Sequence, residues 1–336
     1  MKAVVQDGYG PPEEVLRLVE VDPPPIGDED LLVRMRASSV NTPDWITVTG
    51  VPYVLRVTSG LRGPKKPIRG TDVAGIVEEA GKNVSDLQPG DEVFGSVWSD
   101  SLATSGAFAE LAAVPGARVI KKPAGLTFEE AAASVMSGIT ALTAIRDVVN
   151  VGPGSRVLVN GASGGVGTFA VQIARSLGAE VTGVCSTRNV ELVRSLGAAS
   201  VVDYTQEDFA DGESRYDLIL DNVLNRPPTA TARVLAPDGI LIPNSVGNTG
   251  GMFAGLPRMA RAALMRVRST KVRFVKCVVS RDNLEALAAL LHSGEVKVVI
   301  DHVYPLAEAG RAVAHMYGHH ARGKVAISVQ GASETF

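Results

Sequence analysis

One stretch of this chain restricts its fold more than any other: Val157-Leu158-Val159-Asn160-Gly161-Ala162-Ser163-Gly164-Gly165-Val166-Gly167. A short apolar run with strand character breaks into three glycines spaced three apart, and a helical pattern restarts at once. Gly161 permits the sharp turn out of the strand. Gly164 removes a side chain where a pyrophosphate would approach the backbone, and Gly167 lets the helix pack closely on the sheet. The amide groups at such a turn, with the helix dipole behind them, form an anion site. The whole run 161–167, with Ala162, Ser163, Gly165 and Val166 between the glycines, is therefore expected to hold a dinucleotide. A tight glycine turn without a ligand is the plain alternative.

The surroundings strengthen the first reading. Apolar strands are predicted at 156–160, 180–185, 200–203, 217–221 and 239–243, with helices at 165–177 and 189–196 between the first three. That alternation implies right-handed crossovers and a parallel, doubly wound sheet. A sixth strand is predicted over 273–279, and a helix over 282–291. Thr127, three residues before Glu130, should cap a helical run from 131 to 145. The first third differs. Short runs at 2–6, 31–40, 74–79, 92–97 and 108–114 are parted by Gly and Pro clusters, which reads as a small β barrel or sandwich. β character returns at 296–303 and 324–329. The α/β segment is thus an insert: 125–294 is predicted as the nucleotide domain, and 1–124 with 295–336 as a split β-rich domain.

The second strand of the insert chooses between coenzymes. NAD-dependent folds place an acid near its end to accept from the ribose 2′-hydroxyl. Here the strand runs out in Cys185-Ser186-Thr187-Arg188, two hydroxyls and a guanidinium, which suit a 2′-phosphate. Tyr204 could cover the adenine or donate to that phosphate. NADP(H) is the expected coenzyme, against the alternative that Arg188 only opens a solvated helix.

Composition removes other classes. The net charge is −3 and aromatics make up 5%, which argues against nucleic-acid binding. Two cysteines, Cys185 and Cys277, cannot form a disulfide framework or a thiolate zinc site. His315 and His319 stand four apart, but no Glu follows His315, so they read as surface residues of a last helix. The charge-poor stretches 157–174 and 239–257 are broken by Gly, Asn, Ser and Pro and are not membrane spans. The start of the chain reads as a strand and not as a leader, so a cytoplasmic protein is expected. The segment 258–273, with Arg258, Arg261, Arg266, Arg268, Lys271 and Arg273 among apolar residues, is a solvated helix face, a basic patch for an anionic membrane surface or a lid over a lipophilic quinone.

Taken together, 160–167, Val171-Gln172-Ile173-Ala174, 186–188, Gly70-Thr71-Asp72-Val73-Ala74-Gly75, Pro89-Gly90-Asp91-Glu92-Val93-Phe94-Gly95 and the closing Arg322-Gly323-Lys324-Val325 resemble the medium-chain dehydrogenase/reductase superfamily. The similarity is greatest to its zinc-independent quinone oxidoreductase branch and spans nearly the whole chain. It implies a GroES-like β domain split around an inserted Rossmann domain, with an active cleft between them and a homodimer formed through sheet edges. Zinc-dependent members carry Cys where this chain has Asn41, and Gly-His-Glu where it has Gly70-Thr71-Asp72. A four-Cys lobe is also absent after Val97. The resemblance therefore implies no metal site.

It also implies roles. Asn41 and Asp44 line the cleft, Asn41 donating to the acceptor oxygen and Asp44 organising its neighbours, unless the pair only forms an Asx-type turn around Pro43. Tyr53 is a proton donor or a pocket wall. Thr140 lies beside the nicotinamide, and Ser245, Val246 and Gly247 bring backbone groups to the carboxamide. Asn222 closes the fourth strand, where ligands meet parallel sheets. Lys324 binds cofactor phosphates or caps the terminal strand. The implied chemistry is hydride transfer from NADPH to a small quinone, with reduction of an enone or enal C=C bond second. A non-catalytic NADPH-binding redox sensor is the rival from another class.

Overall fold

Period-two alternation organises the first third of the chain. In β3 (Asp30–Ser39), Leu31, Val33, Met35 and Ala37 are buried while the residues between them are more open, as a strand facing a core on one side requires. The computed structural model describes residues 1–99, 101, 105–245, 256–268, 271–318 and 321–329. It begins with β1 (Lys2–Gln6) and β2 (Leu16–Glu20), an antiparallel pair. After β3 come β4 (Asp72–Ala80), β5 (Glu92–Ser96), β6 (Leu111–Pro115) and β7 (Val119–Lys121). The middle of the chain supplies β8 (Arg156–Asn160), β9 (Glu180–Cys185), β10 (Ser200–Asp203), β11 (Tyr216–Asp221) and β12 (Leu235–Pro243). Two strands near the end, β13 (Ile300–Pro305) and β14 (Lys324–Ser328), return to the first group.

Two units result: Met1–Ile139 with Val278–Ser293 and Val298–Phe336, and Thr140–Cys277 with Gly294–Lys297. Unit 1 carries a seven-stranded sheet in the order β13-β14-β3-β4-β5-β7, with β6 pairing β3. β14 runs antiparallel to β3, so the end of the chain completes a sheet begun by its start. Unit 2 carries a five-stranded sheet in the order β10-β9-β8-β11-β12, every neighbouring pair parallel. Leu158, Ile219 and Leu241, from the adjacent strands β8, β11 and β12, are fully buried in one apolar cluster. The order reverses at β8, which puts the ends of β8, β9 and β11 where such sheets receive ligands.

Three sequence expectations change. Residues 125–139 and 278–293, assigned to the insert, lie with unit 1. The helix Arg281–His292 packs on β7, Arg281 donates to Gly116 O at 2.9 Å, and Leu287 lies against Gly138. No strand forms over 273–279: Val272 alone bridges Leu241, and strand propensity without a partner edge is not enough. His315 is no simple surface residue. Its Nε2 is 3.0 Å from Asp301 Oδ2 and its Nδ1 is 3.2 Å from Tyr304 Oη, on the helix Ala309–Tyr317. His319 lies outside the described residues.

Thr127 caps its helix as expected, its Oγ1 accepting from Glu130 N at 3.1 Å while Thr127 N donates to Glu130 Oε2 at 2.9 Å. Among the described residues one helical run, Phe128–Val149, is long and apolar enough to cross a membrane, yet 78% of its apolar window is buried inside the protein. It is a core helix.

Candidate functional site

Unit 2 holds the glycine cradle. Gly161 has φ +77°, a left-handed conformation that side-chain-bearing residues rarely take. Its amide and that of Ala162 both donate to Val184 O, at 3.1 and 3.0 Å, which ties the turn to the end of β9. The helix Gly165–Ser176 comes next, with Gly164 at its N-cap and no side-chain cap. A Cβ on Gly167 would lie 2.1 Å from Gly161 O, so the close approach of helix to turn requires glycine there. A Cβ on Gly164 would meet only Gly161 O, at 3.4 Å. Among the described residues no other atom lies within 4 Å of it. Helix geometry leaves the amides of Gly165, Val166 and Gly167 without intrahelical acceptors.

The neighbouring strand ends add polar groups. Ser186 precedes the short turn Thr187–Asn189, on which Thr187 and Arg188 are exposed. Asn189, for which sequence reasoning assigns no role, is buried. Its Nδ2 donates to Ser163 Oγ at 3.0 Å and to Ser186 Oγ at 3.4 Å, so it joins the glycine turn to the end of β9. The only hint in the sequence is its place at the start of a helix after a strand. Tyr204, 54% exposed, reaches the same corner because its amide donates to Cys185 O at 3.0 Å. Asp203, equally silent in the sequence, pairs in register with Cys185 on the adjacent strand. Its carboxylate accepts from Thr187 Oγ1 at 2.5 Å and from Thr205 N and Oγ1. The Thr187 hydroxyl, first among these bonds, holds the Asp203 carboxyl below its ordinary range. The corner thus has an acid after all, from the third strand instead of the second.

At the end of β11, Asp221 is buried and accepts from Asn160 Nδ2 at 2.7 Å and from the amides of Val223 and Leu224. Burial raises its pKa against the pull of those bonds. Next to it, Asn222 accepts from Asn244 Nδ2 at 2.8 Å through its Oδ1, but its own Nδ2 is buried without a partner. A buried amide left unpaired costs about 1–3 kcal/mol, and beside the glycine cradle it points to a ligand acceptor. Thr140 is buried in the helix Phe128–Leu142. Ser245 is half-buried after β12, while Val246 and Gly247 lie outside the described residues.

Unit 1 holds a cluster of another kind. Asn41, Asp44, Thr71, Asp72 and Lys324 are each at most 3% exposed. Asn41 Nδ2 donates to Asp72 Oδ2 at 2.7 Å and more weakly to Thr71 Oγ1 at 3.3 Å. Ser39 Oγ donates to the same Asp72 oxygen at 2.7 Å. Lys324 Nζ donates to Asn41 Oδ1 at 2.5 Å and to Val40 O at 2.9 Å. Asn41 also starts the helix Thr42–Thr49, a helix where the sequence offered only a turn, and its amide donates to Asp44 Oδ2 at 2.8 Å. Burial raises the pKa of Asp44 to about 7. The charge of Asp72 adds to this, and the Asn41 amide, Arg69 and Lys324 oppose it. Burial likewise raises Asp72, with Lys324 the largest opposing influence.

Two of the expected site residues have neighbours of their own here. The Lys324 ammonium donates to Asn41 Oδ1 and Val40 O within unit 1. Tyr53 is 49% exposed, and the Arg56 guanidinium lies 4.2 Å from its ring centre and 4.3 Å from that of Tyr9. No hydrogen bond ties it to the Asn41–Asp72 cluster.

Family models match both parts: an alcohol dehydrogenase GroES-like domain over residues 27–124 and a zinc-binding dehydrogenase over 196–327. The mitochondrial NAD(P)H oxidoreductase RTN4IP1 of Mus musculus is 33% identical over 98% of this chain and 89% of its own. The chloroplastic quinone-oxidoreductase QR1 of Triphysaria versicolor is 31% identical over 97% and 98%. A solved quinone oxidoreductase from Coxiella burnetii superposes with a TM-score of 0.85 at 26% identity, covering 98% of this chain and 99% of that one. The chain belongs to the medium-chain dehydrogenase/reductase superfamily, in its quinone oxidoreductase branch. It is an oxidoreductase.

Membership gives the two regions a common frame. The superfamily's Rossmann half corresponds to the parallel sheet with its glycine cradle, and its GroES-like half to the seven-stranded sheet. In this oxidoreductase Asn41 and Gly70-Thr71-Asp72 meet inside the GroES-like half. Asn41 bonds to Thr71, Asp72 and Lys324.

Proposed function

We propose that the protein is a zinc-independent oxidoreductase that passes hydride from NADPH to a quinone. The observation that carries this reading is the cradle at 161–167: a glycine N-cap, a helix start whose first amides have no intrahelical acceptor, and the unpartnered Nδ2 of Asn222 beside them. These are donors only, matched to an acceptor-rich diphosphate and to a ribose or carboxamide oxygen. The bound nucleotide supplies the hydride. Gly165, Val166 and Gly167 hold its diphosphate by their amides, and Asn222 orients the portion of the nucleotide beyond that diphosphate.

NADPH is preferred over NADH on the strength of Arg188, Ser186 and Tyr204. Asp203 works against it by holding the Thr187 hydroxyl, which leaves the guanidinium to recognise the 2′-phosphate. Independence from zinc rests on the donor set. One carboxylate, one amide and one hydroxyl, already bonded to each other and to a buried ammonium, do not suit a metal that takes thiolate and imidazole. The acceptor must then be electrophilic in itself, as quinones are. Lys324 fixes the Asn41 amide and balances the buried carboxylates, and Asp44 holds a proton below about pH 7. A cytoplasmic location and a homodimer formed through sheet edges belong to the same proposal. Light scattering on the purified protein tests the dimer.

Stopped-flow oxidation of NADPH and NADH against a panel of quinones and enones, with product identification, tests the function. Hydroquinone formed faster with NADPH is the expected result. A saturated carbonyl as the main product would replace quinone by enone or enal reduction. Coenzyme binding without turnover across the panel would make the protein a sensor.

A further inference from the structure

The helix Leu256–Arg268 of unit 2 has two unlike long faces. Arg258, Ala262 and Met265, spaced four and three apart, form the docked one. Ala262 is fully buried in the apolar cluster under β11 and β12, Met265 packs against it, and Arg258 Nη1 donates to Leu224 O at 3.1 Å. Ala260, Leu264 and Val267, with the same spacing, lie on the opposite side. Leu264 is 50% exposed and Val267 84%. Arg261 and Arg266, both exposed, flank that outward stripe, Arg266 over the ring of Phe274. No Asp or Glu occurs between Asp238 and Asp282, in a chain whose net charge is −3. The positive charge is therefore concentrated in this segment against the trend of the molecule.

We propose that this face docks on an anionic lipid surface. Two large aliphatic side chains turned to water between cations match a headgroup layer that offers negative charge outside and hydrocarbon just beneath. A helix of this length lies about 20 Å along such a surface. A second copy fits less well: two-fold pairing would bring the arginine-flanked stripe against itself, and two aliphatic residues fall far short of the roughly 800 Å² per partner of a stable interface. Nucleic-acid phosphates would engage the arginines but leave Leu264 and Val267 in water.

Sedimentation of the full-length protein with vesicles tests this, comparing pure phosphatidylcholine with mixtures about one-third phosphatidylglycerol. Binding is expected to the anionic vesicles, to weaken with salt, and to be slight on neutral ones. Arg261→Gln should lower the partition about fivefold, as loss of one cation near an anionic leaflet implies. Leu264→Glu should lower it at least tenfold. Because both side chains are exposed, melting temperature and coenzyme binding should stay as in the parent, which separates loss of docking from loss of fold. Absence of vesicle binding, equal binding to neutral vesicles, or binding untouched by Leu264→Glu would each overturn the proposal. So would a dimer that Leu264→Glu dissociates without any affinity for lipid, or capture of duplex DNA in preference to vesicles.

Discussion

The two polar regions of this oxidoreductase differ in how far their groups bond to one another. In unit 1, Asn41, Ser39, Thr71, Asp72 and Lys324 bond to one another in a buried cluster, with Asp72 Oδ1 left over. In unit 2, the amides of 165–167 have no acceptor within their own helix, and Asn222 Nδ2 is buried without a partner. A buried polar group that finds its partners within the fold contributes to stability and to a fixed geometry. One that does not is a standing cost, relieved when a ligand arrives.

Substitutions can break that contrast. Lys324→Met should have the largest effect, because it takes the opposing cation from buried Asp72 and one of the two from buried Asp44. A loss of about 3–5 kcal/mol is expected in urea unfolding, with coenzyme affinity unchanged in the folded fraction. Asp44→Asn comes next. An acid whose folded-state pKa is raised to about 7 keeps its proton where the unfolded chain has lost it. Its contribution therefore declines as pH climbs from about 4 to about 7, by up to about 1.4 kcal/mol per pH unit, and then levels off. Asparagine at this position should flatten the slope of unfolding free energy between pH 5 and 7, leaving the part due to Asp72. An unchanged slope would place the titration elsewhere.

The predictions for unit 2 concern binding and not stability. Arg188→Ala should weaken NADPH by about 10- to 100-fold, as loss of a charge-assisted bond implies, with little change for NADH. Equal loss for both would contradict a 2′-phosphate role. Gly164→Ala is the smallest and sharpest change. The backbone there, φ −86°, accepts alanine and the nearest atom is 3.4 Å from the new Cβ, so the melting temperature should hold. Coenzyme affinity should fall about tenfold, because the methyl group stands where the diphosphate approaches the amides.

Much of the cradle is legible in the sequence because its determinants are local. Glycine spacing, an apolar strand before it and a helix after it are consecutive in the chain, and Gly161 and Gly167 meet demands that only glycine meets. The illegible part comes from pairing between distant segments. Asp203 reaches Thr187 because β10 lies beside β9, and Asn189 links Ser163 to Ser186 across a turn. The unit 1 cluster is half visible. Asn41 and Asp44 stand close in sequence, but Pro43 between them reads as a turn where a helix forms, and the partnership of Lys324 with Asn41 depends on β14 returning to β3. The segment 273–279 shows the converse, strand-like composition without an edge to pair with.

The central claim is that the amides of Gly165, Val166 and Gly167 receive the coenzyme diphosphate. Hydrogen exchange at those three amides, followed while NADPH is added, tests it most directly. Protection should appear at 165–167 in step with saturation, and the buried Asn41–Lys324 cluster should exchange as before. Saturable binding of NADPH that leaves those amides exchanging at their original rate, or no binding at all, would contradict the account.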